Sequence, residues 1–161
     1  MNFSDWQESV PDAITDDPLW TVEAYRLALF ASDACWKDVR KISKQRTMRS
    51  LSDQLYRAMG SVSANVAEGY SRGSGKDRAR FYEYALGSAR ESRDWYYKAR
   101  HVLGENVTDH RLNFLASIIR LLLKMIPQQR GRHTQEPAAT YDANGQRPEL
   151  DALLRDIPLA E

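Results

Sequence analysis

The sequence predicts an all-α protein, and three observations carry that expectation. Apolar residues recur at spacings of three and four in four stretches between residues 19 and 126, the period of a helix face. No proline falls between those limits. No stretch alternates apolar and polar residues as a half-buried strand does. With 161 residues, the chain is one domain by size and long enough to bury a substantial core.

Residues 1–18 read as an acidic N-terminal arm. Phe3, Trp6, Val10 and Ile14 keep roughly helical spacing, but Pro11 and Pro18 limit any helix, so an extended or partly ordered arm is expected. Trp6 is suited to dock on the bundle or on a neighbouring subunit, and the acids to lie across a basic face. The first helix is expected over 19–46, with Leu19, Val22, Leu27, Ala31, Cys35, Val39 and Ile42 on its apolar side. Its end is basic. Lys37, Arg40, Lys41, Lys44, Arg46 and Arg49 stand against one acid, Asp38. Cations are favoured at a helix C-terminus, but six exceed what capping needs.

The second helix places Leu51, Leu55, Met59, Val62 and Val66 on one face, with Ser50 as N-cap and Gly69 as a left-handed C′ residue. Ser71, Gly73, Ser74 and Gly75 supply a turn, and Ser74 with Asp77 opens the third helix. That helix carries its apolar line on Phe81, Ala85, Ser88, Trp95, Ala99 and Val102, so the pair is expected to form an antiparallel hairpin. Gly87 inside it implies close approach of another helix. Asn65, Glu68, Arg80 and Glu91 are expected to satisfy one another across the helix boundary, or to line an RNA or subunit contact. Basic residues alternate with Trp95, Tyr96 and Tyr97, which suits core packing, a subunit interface or base stacking. The fourth helix is expected to begin at Thr108 or Asp109 and to end at Pro127, with Leu112, Leu115, Ile118, Leu122 and Ile126 on its stripe. Residues 127–161 then read as a flexible acidic tail. Within it, 148–157 holds Leu150, Leu153, Leu154 and Ile157 at amphipathic spacing. That piece is too short to stand alone as a helix in water.

The net charge of +1 conceals a division. Residues 1–19 hold five acids and no bases, and 134–161 hold six acids and two bases. The part between is strongly basic, which suits a polyanionic partner. Arg72, Lys76 and Arg78 add to it in the turn. That turn is not a P-loop, because Gly75-Lys76 is followed by Asp77 rather than a hydroxyl residue.

The stretch Leu51-x-x-Gln54-Leu55-x-Arg57-Ala58-x-x-Ser61-Val62-x-Ala64-Asn65-Val66-Ala67-Glu68-Gly69, followed by Arg72, Ser74, Arg80-Phe81, Ala85 and Gly87-Ser88, resembles the proteins encoded in intervening sequences of bacterial 23S ribosomal RNA genes. The accessory protein of diversity-generating retroelements, whose partners are a reverse transcriptase and nucleic acid, is similar at greater distance. The resemblance implies an antiparallel up-and-down four-helix bundle over 19–126, a homopentamer and a role in nucleic-acid binding. It offers Arg57, Asn65, Glu68, Gly69, Arg80, Gly87, Ser88 and Glu91 as family-motif positions with a structural or interface role. It supplies no catalytic residues.

Chemistry is sparse elsewhere. His101, His110 and His133 are scattered, and Cys35 is the only cysteine, so neither a metal-spaced set nor a disulfide framework is expected. Cys35 reads as a small buried hydrophobe. No serine is tied to a histidine and a carboxylate. Glu68 and Glu91, expected to face each other beside arginines, suit ion pairing better than acid–base catalysis. No run is apolar enough to span a membrane and no secretory pattern is present, so a cytoplasmic protein without cofactor or metal is expected. The leading reading is a non-enzymatic oligomer that binds ribosomal or other structured RNA through Lys37, Arg40, Lys41, Lys44, Arg46, Arg49, Arg72, Lys76 and Arg78. The alternative is a scaffold that presents its tails to a protein partner.

Overall fold

The computed structural model describes residues 2–131, 147–155 and 157–160. Every regular element among them is helical, as the periodicity requires. The elements are α1 (Phe3–Ser9), α2 (Asp12–Thr15), a 3₁₀ turn (Pro18–Thr21), α3 (Glu23–Ile42), a second 3₁₀ turn (Arg46–Met48), α4 (Arg49–Tyr70), α5 (Gly75–Leu103), α6 (Glu105–Arg130) and α7 (Arg147–Arg155). The four long helices pack chiefly in sequence order: α3 on α4, α4 on α5, α5 on α6. Smaller contacts join α3 to α5 and α6, and α7 lies on α6. Short connections leave little choice but to pack consecutive helices side by side.

The acidic arm is not extended. Asn2 caps α1, its side-chain oxygen accepting from the Asp5 backbone N–H at 2.9 Å, a cap the sequence reading overlooked. Pro11 precedes α2 as its N-cap rather than ending helical structure. Trp6 is 6% exposed, packs against Trp20 and Phe30 and donates its indole N–H to Asp33 at 2.5 Å. The arm therefore docks beside the middle of α3 and away from its basic end.

Several helix ends differ from expectation, each for a local reason. The span expected as one helix over 19–46 is α3 flanked by the two 3₁₀ turns. α4 begins at Arg49 without a side-chain cap, so Ser50 lies inside the helix. Gly69 is also helical and not left-handed. It is buried because Tyr82 of α5 lies over it: a Cβ there would meet the ring at 2.8 Å. Ser74 does cap α5, accepting from the Asp77 N–H at 3.1 Å. Gly75 abuts the α6 backbone, where a Cβ would collide with the Gln129 carbonyl. By contrast, a Cβ at Gly87 would meet nothing within 4 Å among the described residues, so none of their helices requires the glycine. Gly104 alone, at φ +84°, joins α5 to α6, and α6 starts at Glu105 rather than Thr108 or Asp109. α6 also passes through Pro127 to Arg130, where Gly131 closes it in the left-handed conformation. The last turn is held from outside: Gln129 accepts from Arg78 at 3.1 Å, and Arg130 pairs with Glu83 at 2.8 Å.

The buried face of α5 lies about one residue off the expected line. Tyr82, Ala85, Leu86, Ala89, Ser92, Tyr96 and Ala99 are buried, while Phe81, Ser88, Trp95 and Val102 are half-buried. The small residues in this set let α4 and α6 approach closely. Tyr96 is consequently core, not a subunit-contact candidate.

Tyr96 leads to a polar cluster that the sequence reading missed. Its hydroxyl donates to Asp38 at 2.8 Å. Arg111 grips both oxygens of the same carboxylate, from Nε at 2.7 Å and from an η nitrogen at 3.2 Å. Asp38 is fully buried and Arg111 nearly so. Two further N–H groups of Arg111 reach His110 Nδ1 at 2.8 Å and the Pro158 carbonyl at 2.9 Å. Arginine can only donate, so His110 Nδ1 is the acceptor and its Nε2–H donates to the Leu153 carbonyl at 2.7 Å. This network fastens α3, α5, α6 and the C-terminal segment together, with Ile157 buried beside it. The segment thus docks on α6. Cys35 is buried as expected, and burial, with the Asp38 carboxylate adding to it, pushes its thiol up to about 12.

Burial, followed by the adjacent Arg111 guanidinium, pulls the His110 imidazole below its ordinary range against the opposing effects of the Leu153 carbonyl and Asp38. A depressed histidine is neutral in the folded chain and takes up a proton more readily when unfolded. Its contribution to stability is present above about pH 6.5 and is lost as pH falls through the lower folded-state value. We expect the melting temperature to fall between pH 7.5 and 5.5, and to fall less in His110→Gln, which retains one donor and one acceptor. Parallel pH profiles for the two proteins would refute that role.

Candidate nucleic-acid interface

The basic end of α3 is built by helix periodicity and by the turn that follows. Arg40 and Lys41 occupy the last turn of α3. Lys44, Arg46 and Arg49 continue through the 3₁₀ turn into α4. Lys37, Arg40, Lys44, Arg46 and Arg49 are exposed and Lys41 is half-buried. None of the six is in an ion pair among the described residues, and Arg49 merely donates to the Ser43 carbonyl at 3.4 Å. Asp38, the one acid in this stretch, faces inward and is neutralised by Arg111. It therefore does not offset the surface charge.

Folding adds residues that are distant in sequence. A depression beside Lys41, Lys44, Gln45 and Met48 is completed by Lys98, His101 and Val102 from the end of α5. Lys98 pairs with Asp94 at 2.5 Å and lies 4.3 Å from the Trp95 ring centroid. The signal for these two was the hairpin itself: if the α4–α5 turn lies at one end, the C-terminus of α5 returns to the other.

The remaining basic candidates are not part of this patch. Arg72, Lys76 and Arg78 sit at the far end of α4, whose 22 residues span about 33 Å. That exceeds the Debye length of about 8 Å at physiological salt several times. Arg72 is paired with Glu68 and lies over Phe81. Arg78 donates to Gln129 and to the Arg72 carbonyl, tying the α4–α5 turn to α6. Lys76 is exposed.

The family-motif polar residues do not satisfy one another across helices. Asn65 donates to the Ser61 carbonyl one turn back at 2.8 Å. Arg80 pairs with Asp77 at 3.4 Å, and Glu91 accepts from the Trp95 indole at 3.1 Å. Ser88 donates to the Tyr84 carbonyl, while Arg57 is exposed. Glu68 lies in the last turn of α4, whereas Glu91 lies about 24 Å along α5 from its start, so the two carboxylates do not face each other. Asn65, Glu68, Arg80, Ser88 and Glu91 each find a partner three or four residues away in the chain.

Among the described residues no cluster of histidine, cysteine and carboxylate could hold a metal, and no helix is long and apolar enough to cross a membrane. His133 lies outside the described residues. Tyr97 is exposed, with Arg100 at 4.1 Å from its ring centroid.

No curated protein and no solved structure matches the chain. The family model for the 23S rRNA-intervening sequence protein matches residues 21–127, a span from just before α3 to the final turn of α6. That span includes the motif helices α4 and α5, and the chain belongs to the 23S rRNA-intervening sequence protein family.

Proposed function

We propose that this protein is a non-enzymatic, homo-oligomeric, up-and-down four-helix bundle that binds structured RNA or nucleoprotein by neutralising phosphates. The observation that supports this most is the unpaired cationic end of α3: Lys37, Arg40, Lys41, Lys44, Arg46 and Arg49, with Asp38 withdrawn into the core by Arg111. Six exposed or half-exposed cations without partners form a surface for a polyanion rather than for stability, since phosphate contacts dominate nucleic-acid affinity. Lys98 and His101 widen the surface. Repetition around a homopentamer, the assembly that the family resemblance implies, multiplies the field. Lys76, Arg72 and Arg78 are secondary contacts at the other end. The tail-presenting scaffold fares less well, because Leu150 and Leu154 pack against this chain's own core.

Replacing Arg40, Lys41, Lys44 and Arg46 together with glutamine is expected to weaken binding to structured RNA at least a hundredfold at 0.1 M salt. The assembly mass should be unchanged, since Arg40, Lys44 and Arg46 are exposed and Lys41 is half-buried. Unaltered affinity would remove this reading.

A further inference from the structure

A second surface adjoins the basic end. Trp36 on α3 and Tyr56 on α4 are 52% and 45% exposed. Their ring centroids are 5.7 Å apart and the rings are inclined at 55°. They flank a groove of about 580 Å³ lined also by Arg40, Ser43, Asp53 and Arg57, a volume typical of small-ligand sites. Both rings are exposed and lie outside the buried core, with the core residue Val39 lining the groove beside them, so core burial does not account for an indole and a phenol at these positions. Arg40 lies one helical turn beyond Trp36, on the same face, and Arg57 directly follows Tyr56. Among the described residues Arg40, Arg57 and Asp53 have no ion-pair partner. Arg40 belongs both to this groove and to the basic end.

Exposed aromatic faces beside unpaired guanidinium groups match a nucleotide: a flat base with anionic groups on either side. We propose that the Trp36–Tyr56 groove binds an unpaired nucleotide of RNA, with the base stacked on the aromatic rings and the adjoining phosphates on Arg40 and Arg57. Because the rings are not parallel, a base lying on one meets the edge of the other. Asp53 accepts from the amino edge of the base and repels a phosphate from that spot. The inference rests on the reading of the basic end as an RNA surface and adds to it a preference for single-stranded over fully paired RNA.

The test uses the full chain, a ten-nucleotide RNA that cannot pair with itself and a blunt RNA duplex, with Trp36→Leu and Tyr56→Leu as variants. Both side chains are half-exposed, so helicity and assembly mass should be retained. Each variant is expected to bind the single strand about 5- to 100-fold more weakly and the duplex within twofold of the unmodified protein. Unchanged single-strand affinity in both variants would overturn the groove and leave the basic surface standing. Equal losses on both RNAs, or a lower assembly mass, would overturn it in favour of a subunit or protein contact. Failure of the unmodified protein to bind either RNA would remove the RNA surface and the groove together.

Discussion

Asp38→Ala is expected to destabilise the fold by about 3–5 kcal/mol, the usual consequence of removing one partner from a buried ion pair. The carboxylate is completely buried and accepts from Arg111 twice and from Tyr96 once. Its loss leaves a guanidinium that is only 2% exposed with its charge uncompensated, and a buried hydroxyl without an acceptor. Against a typical stability of about 5–15 kcal/mol, that is a large fraction. The loss should appear as a lower urea midpoint with little change in slope, at fixed protein concentration so that the proposed assembly would affect both proteins alike. Joint replacement, Asp38→Leu with Arg111→Met, should recover much of it, because the expensive element is the unpaired charge and not the absent pair. A fall below 1 kcal/mol in Asp38→Ala would show that water or the C-terminal segment can solvate Arg111 in place of Asp38.

Trp6→Ala is expected to cost about 3 kcal/mol, at the lower end of the range for buried aromatic truncations. Trp6 touches Phe3, Trp20 and Phe30 with ring centroids 5.1–6.0 Å away and hydrogen-bonds Asp33. The reason for the lower end is mechanical. α1 has seven residues at the edge of the molecule, so it can detach instead of tolerating a cavity, and the loss cannot exceed what docking the arm contributes. Hydrogen exchange over residues 3–9 should therefore accelerate strongly while α4 and α5 stay protected. Trp6→Phe, which keeps an aromatic ring and removes the donor to Asp33, should cost about 1 kcal/mol. Unchanged exchange in Trp6→Ala would contradict the docked arm.

The sequence made the helices legible and their ends less so. Spacings of three and four in α3, α4 and α6 found Leu27, Leu55, Val62, Leu115, Ile118 and Leu122, because many apolar side chains on one face outweigh local noise. α5 is charged on most of its surface and buries small residues, so periodicity alone sets its stripe about one residue off and does not decide between core and surface for Tyr96. Gly69 and Pro127 carry strong local signals for helix ends, yet both lie within helices. A neighbouring ring accounts for the first, and tertiary ties at Gln129 and Arg130 hold the turn beyond the second.

The site shows the same division. The run from Lys37 to Arg49 was visible because its cations are close in sequence. Lys98 and His101 were not, because only the folded hairpin brings them there. Asp38 and Arg111 each sit at helical spacing among buried residues, Cys35 and Ile42 for one and Phe114 and Leu115 for the other. That was the available signal for an internal ion pair. Reading Asp38 as a surface acid understated the charge of the patch.

The central claim is that unpaired cations at the end of α3 hold RNA phosphates, and its most direct test is the salt dependence of binding by protein of known assembly mass. Affinity for a structured RNA and for a matched duplex DNA should be measured from 50 to 300 mM salt. The account predicts tight binding at low salt, a preference for RNA, and a steep log–log slope, near −0.9 per phosphate contact on the duplex DNA. No binding at low salt, or binding indifferent to salt, would contradict it.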